Sequence, residues 1–402
     1  MKIAMIGAKG VPTIFGGVER SVEELSARIV NRGHQVTVYC RSWYTNLSHP
    51  EIQKGDAGGI FYRGIRLITT FTIHTKHLDA IVHTFTSTIH ALFSDFDVIH
   101  FHGVGPALLS WMPRLFKPRA KVFISFQCLD REHEKWGRVA RWFLKLGERF
   151  ACAFGHEVFV SANFLKDYCA EMYNRETVVL PNGANFDPET KVTEEPLASY
   201  GLLPQKYILV VTRLVPHKGV HTTIEAYERL KAERPVLVAN LKLVIVGDSS
   251  FTDEYVELLK QTAAKDTDIV FTGYQSGGVL KSLMAHAAFA VHASNSEGLP
   301  MAVIEIMGHG TPILLSDIAP HRELVQGDKI FFAPNDVFAL KEKMAAMISV
   351  PLEARATGAA MRSAVTPIYS WDLIATRYLV YICAYLPQKS LVFMESPATA
   401  RQ

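Results

Sequence analysis

Cysteine is scarce and scattered. The chain has five (Cys40, Cys128, Cys152, Cys169 and Cys383), none in a CxxC pair, which excludes a disulfide framework and reads as reduced, buried thiols of a cytosolic protein. Charge of one sign is lacking too. The net charge of +3 is too small to argue for nucleic acid. No stretch approaches the roughly 18 apolar residues of a membrane span. The opening run MKIAMIG is too short for a signal peptide and runs into a glycine turn, so the expected location is cytoplasmic. A disordered composition is absent as well, since 49% of residues are hydrophobic and 20% charged. At 402 residues the chain exceeds the roughly 250–300 that one core serves, so two to three domains are expected.

The stretch around which the rest is organised is 291–312, VHASNSEGLPMAVIEIMGHGTP. A strand-like run ends at Ser294, and a polar turn follows through Glu297 and Gly298. Pro300 then sits where a first helical residue would, because its missing N–H costs nothing there. An apolar helix carries Glu305, and Gly310 and Pro312 stop it. A helix N-terminus just past a strand end offers free amides and a favourable dipole to an anion. The carboxylates of Glu297 and Glu305 can accept hydrogen bonds from hydroxyls. A ligand carrying both phosphate and sugar hydroxyls fits this pattern.

The rest of the chain alternates short apolar runs with amphipathic stretches. KIAMIG (2–7) reads as a buried parallel strand. A glycine-rich loop over 8–17 follows, then a helix ending at Gly33 and the strand QVTVYC (35–40). Further strands are expected over 97–103, 121–126, 156–162 and 177–183, with helices between, one of them long, from about 135 to 153. Residues 184–200 are polar and aperiodic and read as an inter-domain linker. The pattern then restarts with strands over 206–212, 241–247, 268–273, 288–294, 312–317 and 329–333. The fold class is therefore α/β, with two doubly wound Rossmann-like domains, 1–183 and 201–365, facing a central cleft at the carboxyl ends of their strands. A last helix over 366–387 is expected to cross back to the first domain, and the tail from 388 looks loose.

Each candidate residue has two readings. Gly16 and Gly17 open the first helix and could let a phosphate approach the backbone, or could form a tight turn and no more. The spacing from Gly10 to Gly16 does not match GxGxxG, and no acidic residue ends the second strand, which argues against NAD. Arg213 and Lys218, past strand 206–212, could neutralise a diphosphate, or could be solvated charges. Glu305 lies in the apolar setting VIEIM, where an unpartnered carboxylate is costly. His100 and His102 share a face, as a zinc pair or as histidines of the core or cleft. In 135–150, Arg138, Arg141, Lys145 and Arg149 fall on one side, with Trp142, Phe143, Leu146 and Phe150 over the other. That describes an amphipathic core helix or a contact with an anionic membrane surface.

Three motifs in order, GAKGVPTIFGGVERSVEEL, TRLVPHKG and SEGLPMAVIEIMGHGTPI with its EX7E spacing from Glu297 to Glu305, resemble those of the GT-B-fold retaining glycosyltransferases of family 4. The resemblance runs over essentially the whole chain. It implies a nucleotide-sugar donor held mainly by the second domain, with acceptor recognition in the first. Arg213 and Lys218 would hold the diphosphate, Glu297 the donor sugar and Glu305 the ribose. Gly298, Leu299 and Met301 would line the donor site, and Gly16 and Gly17 would approach the phosphates. The acceptor would meet the region of Glu19 and Asp130. No metal and no cofactor beyond the nucleotide-sugar substrate are implied. One position departs: where the family usually has a histidine in a pattern like VHGLD, this chain reads SFQCLD, with Gln127 in its place. Gln can donate and accept hydrogen bonds but cannot titrate. The later Lys135-Trp136-Gly137 keeps the alignment in register.

The function expected is retaining transfer of a sugar from a nucleoside diphosphate to a saccharide acceptor, lipid-linked in one version, in surface polysaccharide assembly. Peripheral contact with the inner face of the plasma membrane goes with a lipid-linked acceptor. A GT-B-fold nucleotide-sugar epimerase, or a non-catalytic nucleotide-sugar binding protein, would share the same residues.

Overall fold

The computed structural model describes residues 1–55, 58–75, 78–132, 137–186, 192–249 and 252–386. Lys135-Trp136, part of the expected linker and the tail from 388 lie outside the described residues. The chain divides into two compact units, one of Met1–Asn182 together with the chain from Trp371 onward, the other of Gly183–Ser370.

The first unit is built on a nine-stranded sheet. In chain order its strands are β1 (Lys2–Ile6), β2 (Gln35–Arg41), β3 (Ile52–Lys54), β4 (Ile60–Tyr62), β5 (Ile65–Thr70), β6 (Val98–His102), β7 (Lys121–Phe126), β8 (Glu157–Val160) and β9 (Val178–Val179). Their order across the sheet is β3-β4-β5-β2-β1-β6-β7-β8-β9. All pairings are parallel except those of the β3–β4–β5 meander, which sequence reading passed over. Buried apolar side chains such as Ile3, Val38, Ile99 and Ile124 fill both faces, as a parallel sheet flanked by helices requires. The helix Trp371–Ala384 belongs to this unit. Its Asp372 meets Arg28 and Arg32 at 3.3 and 3.5 Å, and Tyr378, Leu379 and Ile382 enter the core.

The second unit has a six-stranded parallel sheet. It comprises β10 (Tyr207–Val211), β11 (Lys242–Val246), β12 (Ile269–Gly273), β13 (Phe289–His292), β14 (Ile313–Ser316) and β15 (Phe331–Phe332), ordered β12-β11-β10-β13-β14-β15. The order reverses between β10 and β13, so the loops that leave these two strands flank the switch point where doubly wound sheets bind ligands.

Two boundaries differ from the sequence reading. Residues expected as linker belong to the second unit. The Ala184 N–H donates to the Tyr369 carbonyl at 2.7 Å, the short helix Glu195–Ala198 buries Leu197, and the Ser282 hydroxyl donates to the Thr193 carbonyl at 2.7 Å. A polar composition hid the apolar side chains that the core takes up, Ala184 and Leu197 inside it and Phe186 and Tyr200 against it. The final helix begins at Trp371, and the chain through Ser370 stays with the second unit.

Candidate functional site in the second unit

The loop after β10 turns at once. Leu214 is buried and its N–H donates to the Asp248 carbonyl at 2.9 Å. This turns Leu214 inward and leaves Arg213 exposed. A short 3-10 turn, Pro216–Lys218, then carries Lys218 back to the strand ends. Gly219 makes that return possible: it lies at φ +64, and a Cβ there would stand 2.2 Å from the Ala293 carbonyl oxygen. The Asn295 N–H closes the contact by donating to the His217 carbonyl at 2.8 Å.

Lys218 and Glu297 form an ion pair whose side chains are each 9% exposed. The Lys218 Nζ bonds Glu297 Oε1, and the same oxygen accepts from His292 Nε2 at 2.7 Å. Burial alone would raise the Glu297 carboxyl; the Lys218 ammonium and the His292 N–H outweigh it and hold the group well below the ordinary carboxylate range. Glu297 is therefore a fixed anion. Behind it, the buried His321 donates from Nδ1 to the Ser316 carbonyl at 2.7 Å. Its ring meets that of His292 edge to face at 5.3 Å and 72°. Burial pushes His321 down to about 3, so it is neutral at physiological pH.

The structure thus brings Lys218 and Glu297 together, and does not bring Arg213 to Glu297. Gly298 is half-buried and Leu299 buried, and Pro300 caps the helix Met301–Gly308, which starts one residue later than expected. Met301 lies in its first turn, and Glu305 is half-buried one turn further on. Sequence reading missed His292 and His321. The signal for His292 was present: a histidine closing the apolar strand FAVH, five residues before Glu297.

His292, Glu297 and His321 place possible ligand atoms within 4.8 Å of one another. A divalent ion there would share the Glu297 carboxylate with the Lys218 ammonium. The charge of Glu297 is already balanced.

The first-unit candidates lie elsewhere. Gly16, at φ +112, and Gly17 open the helix Gly17–Asn31. A Cβ on Gly16 would fall 1.8 Å from Glu19 Oε2, because the buried Glu19 side chain folds back and accepts the Lys9 N–H at 3.1 Å. Tyr44 steadies the same loop, its hydroxyl accepting from the N–H groups of Ile14 and Phe15 at 2.9 Å. Gln127 is half-buried just past β7, and its carbonyl accepts from the Ser161 hydroxyl at 2.8 Å. It lines a cavity of about 20 Å³ with His102, Ser125 and Asn182, room for roughly one water. Asp130 accepts from Cys128 Sγ at 3.3 Å. His100 and His102 are buried: His100 bonds the Tyr378 hydroxyl at 3.0 Å and the Ser125 hydroxyl at 2.9 Å, and His102 Nε2 faces Met5 Sδ at 3.3 Å. The helix Arg138–Phe154 buries Gly147, Glu148, Ala151 and Cys152 and exposes Val139, Trp142 and Phe143 beside its arginines. The expected apolar packing face is thus partly on the surface.

Comparison with known proteins converges on one family. The family described as Glycosyltransferase Family 4 matches residues 15–187, and Glycosyl transferases group 1 matches residues 197–363. The chain is 26% identical to the MMP alpha-(1->4)-mannosyltransferase of Mycolicibacterium hassiacum, over 94% of its own length and 96% of that protein. It is 24% identical to the GDP-mannose-dependent alpha-(1-6)-phosphatidylinositol monomannoside mannosyltransferase of Mycobacterium tuberculosis, over 94% and 97%. The crystal structure of Anabaena HepE with UDP and glucose superposes with a TM-score of 0.77 at 16% identity, covering 96% of this chain and all of that one. The chain belongs to the family 4 glycosyltransferases of the GT-B fold, enzymes that use a nucleotide-sugar.

Proposed function

We propose that the chain is a retaining, metal-independent hexosyltransferase that moves a sugar from a nucleoside diphosphate to a saccharide acceptor in surface polysaccharide assembly. The observation that carries this reading is the Lys218–Glu297 pair, seated beside the sheet's switch point and held by His292. Lys218 supplies a compact positive charge for the diphosphate, and the first amides of the helix Met301–Gly308 add to it. Arg213, exposed on the same loop, reaches the diphosphate only when the ligand is present. Glu297 accepts hydrogen bonds from sugar hydroxyls, and Glu305 from the ribose. In the first unit, Gly16 and Gly17 let backbone approach the phosphates, Gln127 stands by the reacting sugar, and Glu19 and Asp130 shape the acceptor side.

The chemistry asks little of the protein beyond position and charge. The incoming hydroxyl attacks the anomeric carbon from the face of the departing diphosphate. A phosphate oxygen takes the hydroxyl proton, and the cations at the diphosphate stabilise the charge that develops there. The relatives named for mannosyl transfer, one to a phosphatidylinositol mannoside, favour a hexose donor and leave room for a lipid-linked acceptor. Arg138, Arg141, Lys145, Trp142 and Phe143, exposed on one helix, suit peripheral contact with an anionic leaflet.

The test is incubation with UDP-, GDP- and dTDP-sugars, with and without lipid-linked saccharide, following products by NMR. Transfer that needs the acceptor and preserves the anomeric configuration supports the reading. Conversion of the donor without acceptor would mark an epimerase, binding without turnover a sugar-nucleotide carrier, and inversion would remove the retaining mechanism.

A further inference from the structure

We propose that His292 is a positioning residue for the donor sugar: it clamps one oxygen of Glu297, so that the carboxylate keeps its place when Lys218 turns its charge to a diphosphate. The inference rests on the functional reading above and deepens it.

Both donors that reach Glu297 meet the same atom. Lys218 Nζ and His292 Nε2 bond Oε1, and among the described residues no donor bonds Oε2. One oxygen is thus committed to the protein and the other is left to accept from a ligand. The two donors are not equivalent. Lys218 sits on a 3-10 turn in the loop after β10 and ends a flexible four-carbon stem. An ammonium on such a stem can share its three N–H groups between Glu297 and an incoming phosphate. Were Lys218 the sole partner, each such move would loosen the carboxylate that must hold the sugar. His292 ends β13 and is 4% exposed, so its ring cannot follow.

The ring is also braced. The His321 ring lies edge to face against it and is itself tied through Nδ1–H to the Ser316 carbonyl. The Ser316 hydroxyl bonds the Ser294 carbonyl in turn, linking the ends of β13 and β14. Because His321 donates from Nδ1, its buried Nε2 is a bare acceptor with no hydrogen-bond partner among the described residues. Among the described residues, the charged and titratable groups around Glu297 are Lys218, His292 and the neutral His321. Only the first two can donate to the carboxylate.

A clamp of this kind acts on sugar binding and leaves diphosphate binding alone. The probes are UDP-glucose, GDP-mannose and dTDP-glucose, each paired with its own nucleoside diphosphate, measured by calorimetry on the full chain. Glu297→Ala serves as the reference. In His292→Leu, affinity for the bound nucleotide-sugar should fall by about tenfold, the worth of one hydrogen bond to a charged group. Affinity for the matching nucleoside diphosphate should stay within about twofold of wild type, since Lys218 is intact. His292→Gln places an amide N–H where Nε2 stood and should recover most of the loss, while the shorter His292→Asn should not. Thermal unfolding of each variant is recorded, and if the leucine variant does not fold, the Gln–Asn pair carries the test alone. Equal losses for sugar nucleotide and diphosphate, or identical behaviour of Gln and Asn, would overturn the clamp. If Glu297→Ala weakens nucleotide-sugar binding and the His292 variants do not, the clamp fails and the functional reading stands. If the wild type binds none of the probes, or Glu297→Ala changes nothing, the functional reading fails first and the clamp with it.

Discussion

Strands β6 and β13 hold the same place in their sheets, each the first strand past the point where the order reverses, and each ends in a histidine. His102, at the end of β6, faces a thioether, and its neighbour His100 bonds two hydroxyls. His292, at the end of β13, faces a carboxylate that also holds a lysine. The backbone setting is shared; the partners are not. A buried histidine among neutral groups is a packing element whose proton has been driven off by burial. One that donates to a buried carboxylate keeps a charge in place. The two units are thus similar in topology, and the partner set, more than the histidine itself, separates a core position from a site.

The sharpest way to break this contrast is Lys218→Ala. Removing one pre-placed cation from a developing diphosphate charge should lower kcat by about 10²–10³-fold, with acceptor KM changed by no more than about threefold. Steady-state kinetics with whichever sugar nucleotide of the panel is turned over would check it. Equal losses in kcat and in acceptor affinity would remove Lys218 from the diphosphate role and reduce the ion pair to a fold element. A first-unit change such as Tyr378→Phe should not approach this effect on kcat.

Acid sharpens the contrast more gently. His102 and His321, one in each unit, are held down to about 3 against an ordinary 6.5. The unfolded chain therefore binds these protons first. The stability each contributes is complete above pH 6.5 and is lost as pH falls toward 3. By pH 4.5 each has given up about 2–3 kcal/mol, at 1.36 kcal/mol per unit. Glu297, held below its ordinary 4.5, adds a loss that begins only under pH 4.5 and falls on the second unit alone. All five tryptophans (Trp43, Trp111, Trp136, Trp142 and Trp371) lie in the first unit's stretches of chain, so their fluorescence reports that unit. Circular dichroism reports both. In acid titrations of Glu297→Gln against wild type, the ellipticity curve should change below pH 4.5 while the fluorescence curve is unmoved. A change in the fluorescence curve would mean that the ion pair does not belong to the second unit's stability.

The contrast also explains what could be read from the sequence. Most parallel strands were legible to within about two residues, because strands buried on both faces are continuous apolar runs; β5, parallel to β2, was passed over, and the strand expected over 177–183 is only Val178–Val179. Lys218 and Glu297 were legible as charges at strand ends. Their union was not, because it depends on Gly219 letting the chain pass against the Ala293 carbonyl. His292 read as the tail of a strand. The β3–β4 hairpin was missed, since its three-residue strands are too short to display a period. Periodicity gave the helix Arg138–Phe154 but chose the wrong stripe. Its packing face is the one with Gly147, where a Cβ would stand 2.2 Å from the Val104 carbonyl, so close approach, not side-chain bulk, decided which face went inward.

The smallest expected effect lies in the first unit and bears on the contrast from the other side. Tyr378 and His100 are both fully buried, their rings stacked at 5.4 Å and 12°. The Tyr378 hydroxyl is the partner of His100 Nδ1, and the Ser125 hydroxyl that of Nε2. Tyr378→Phe keeps the ring and removes the hydroxyl, leaving a buried imidazole nitrogen without its bond. The cost should be about 1–2 kcal/mol, read as a lower urea midpoint at unchanged slope. Nucleotide-sugar affinity should stay as it was, because no charge is involved and the helix that carries Tyr378 is held by its other contacts. A loss of donor affinity larger than the loss of stability would mean that the histidines of β6 also serve the ligand. The distinction between neutral and charged partners would then no longer mark which of the two strand ends is the site.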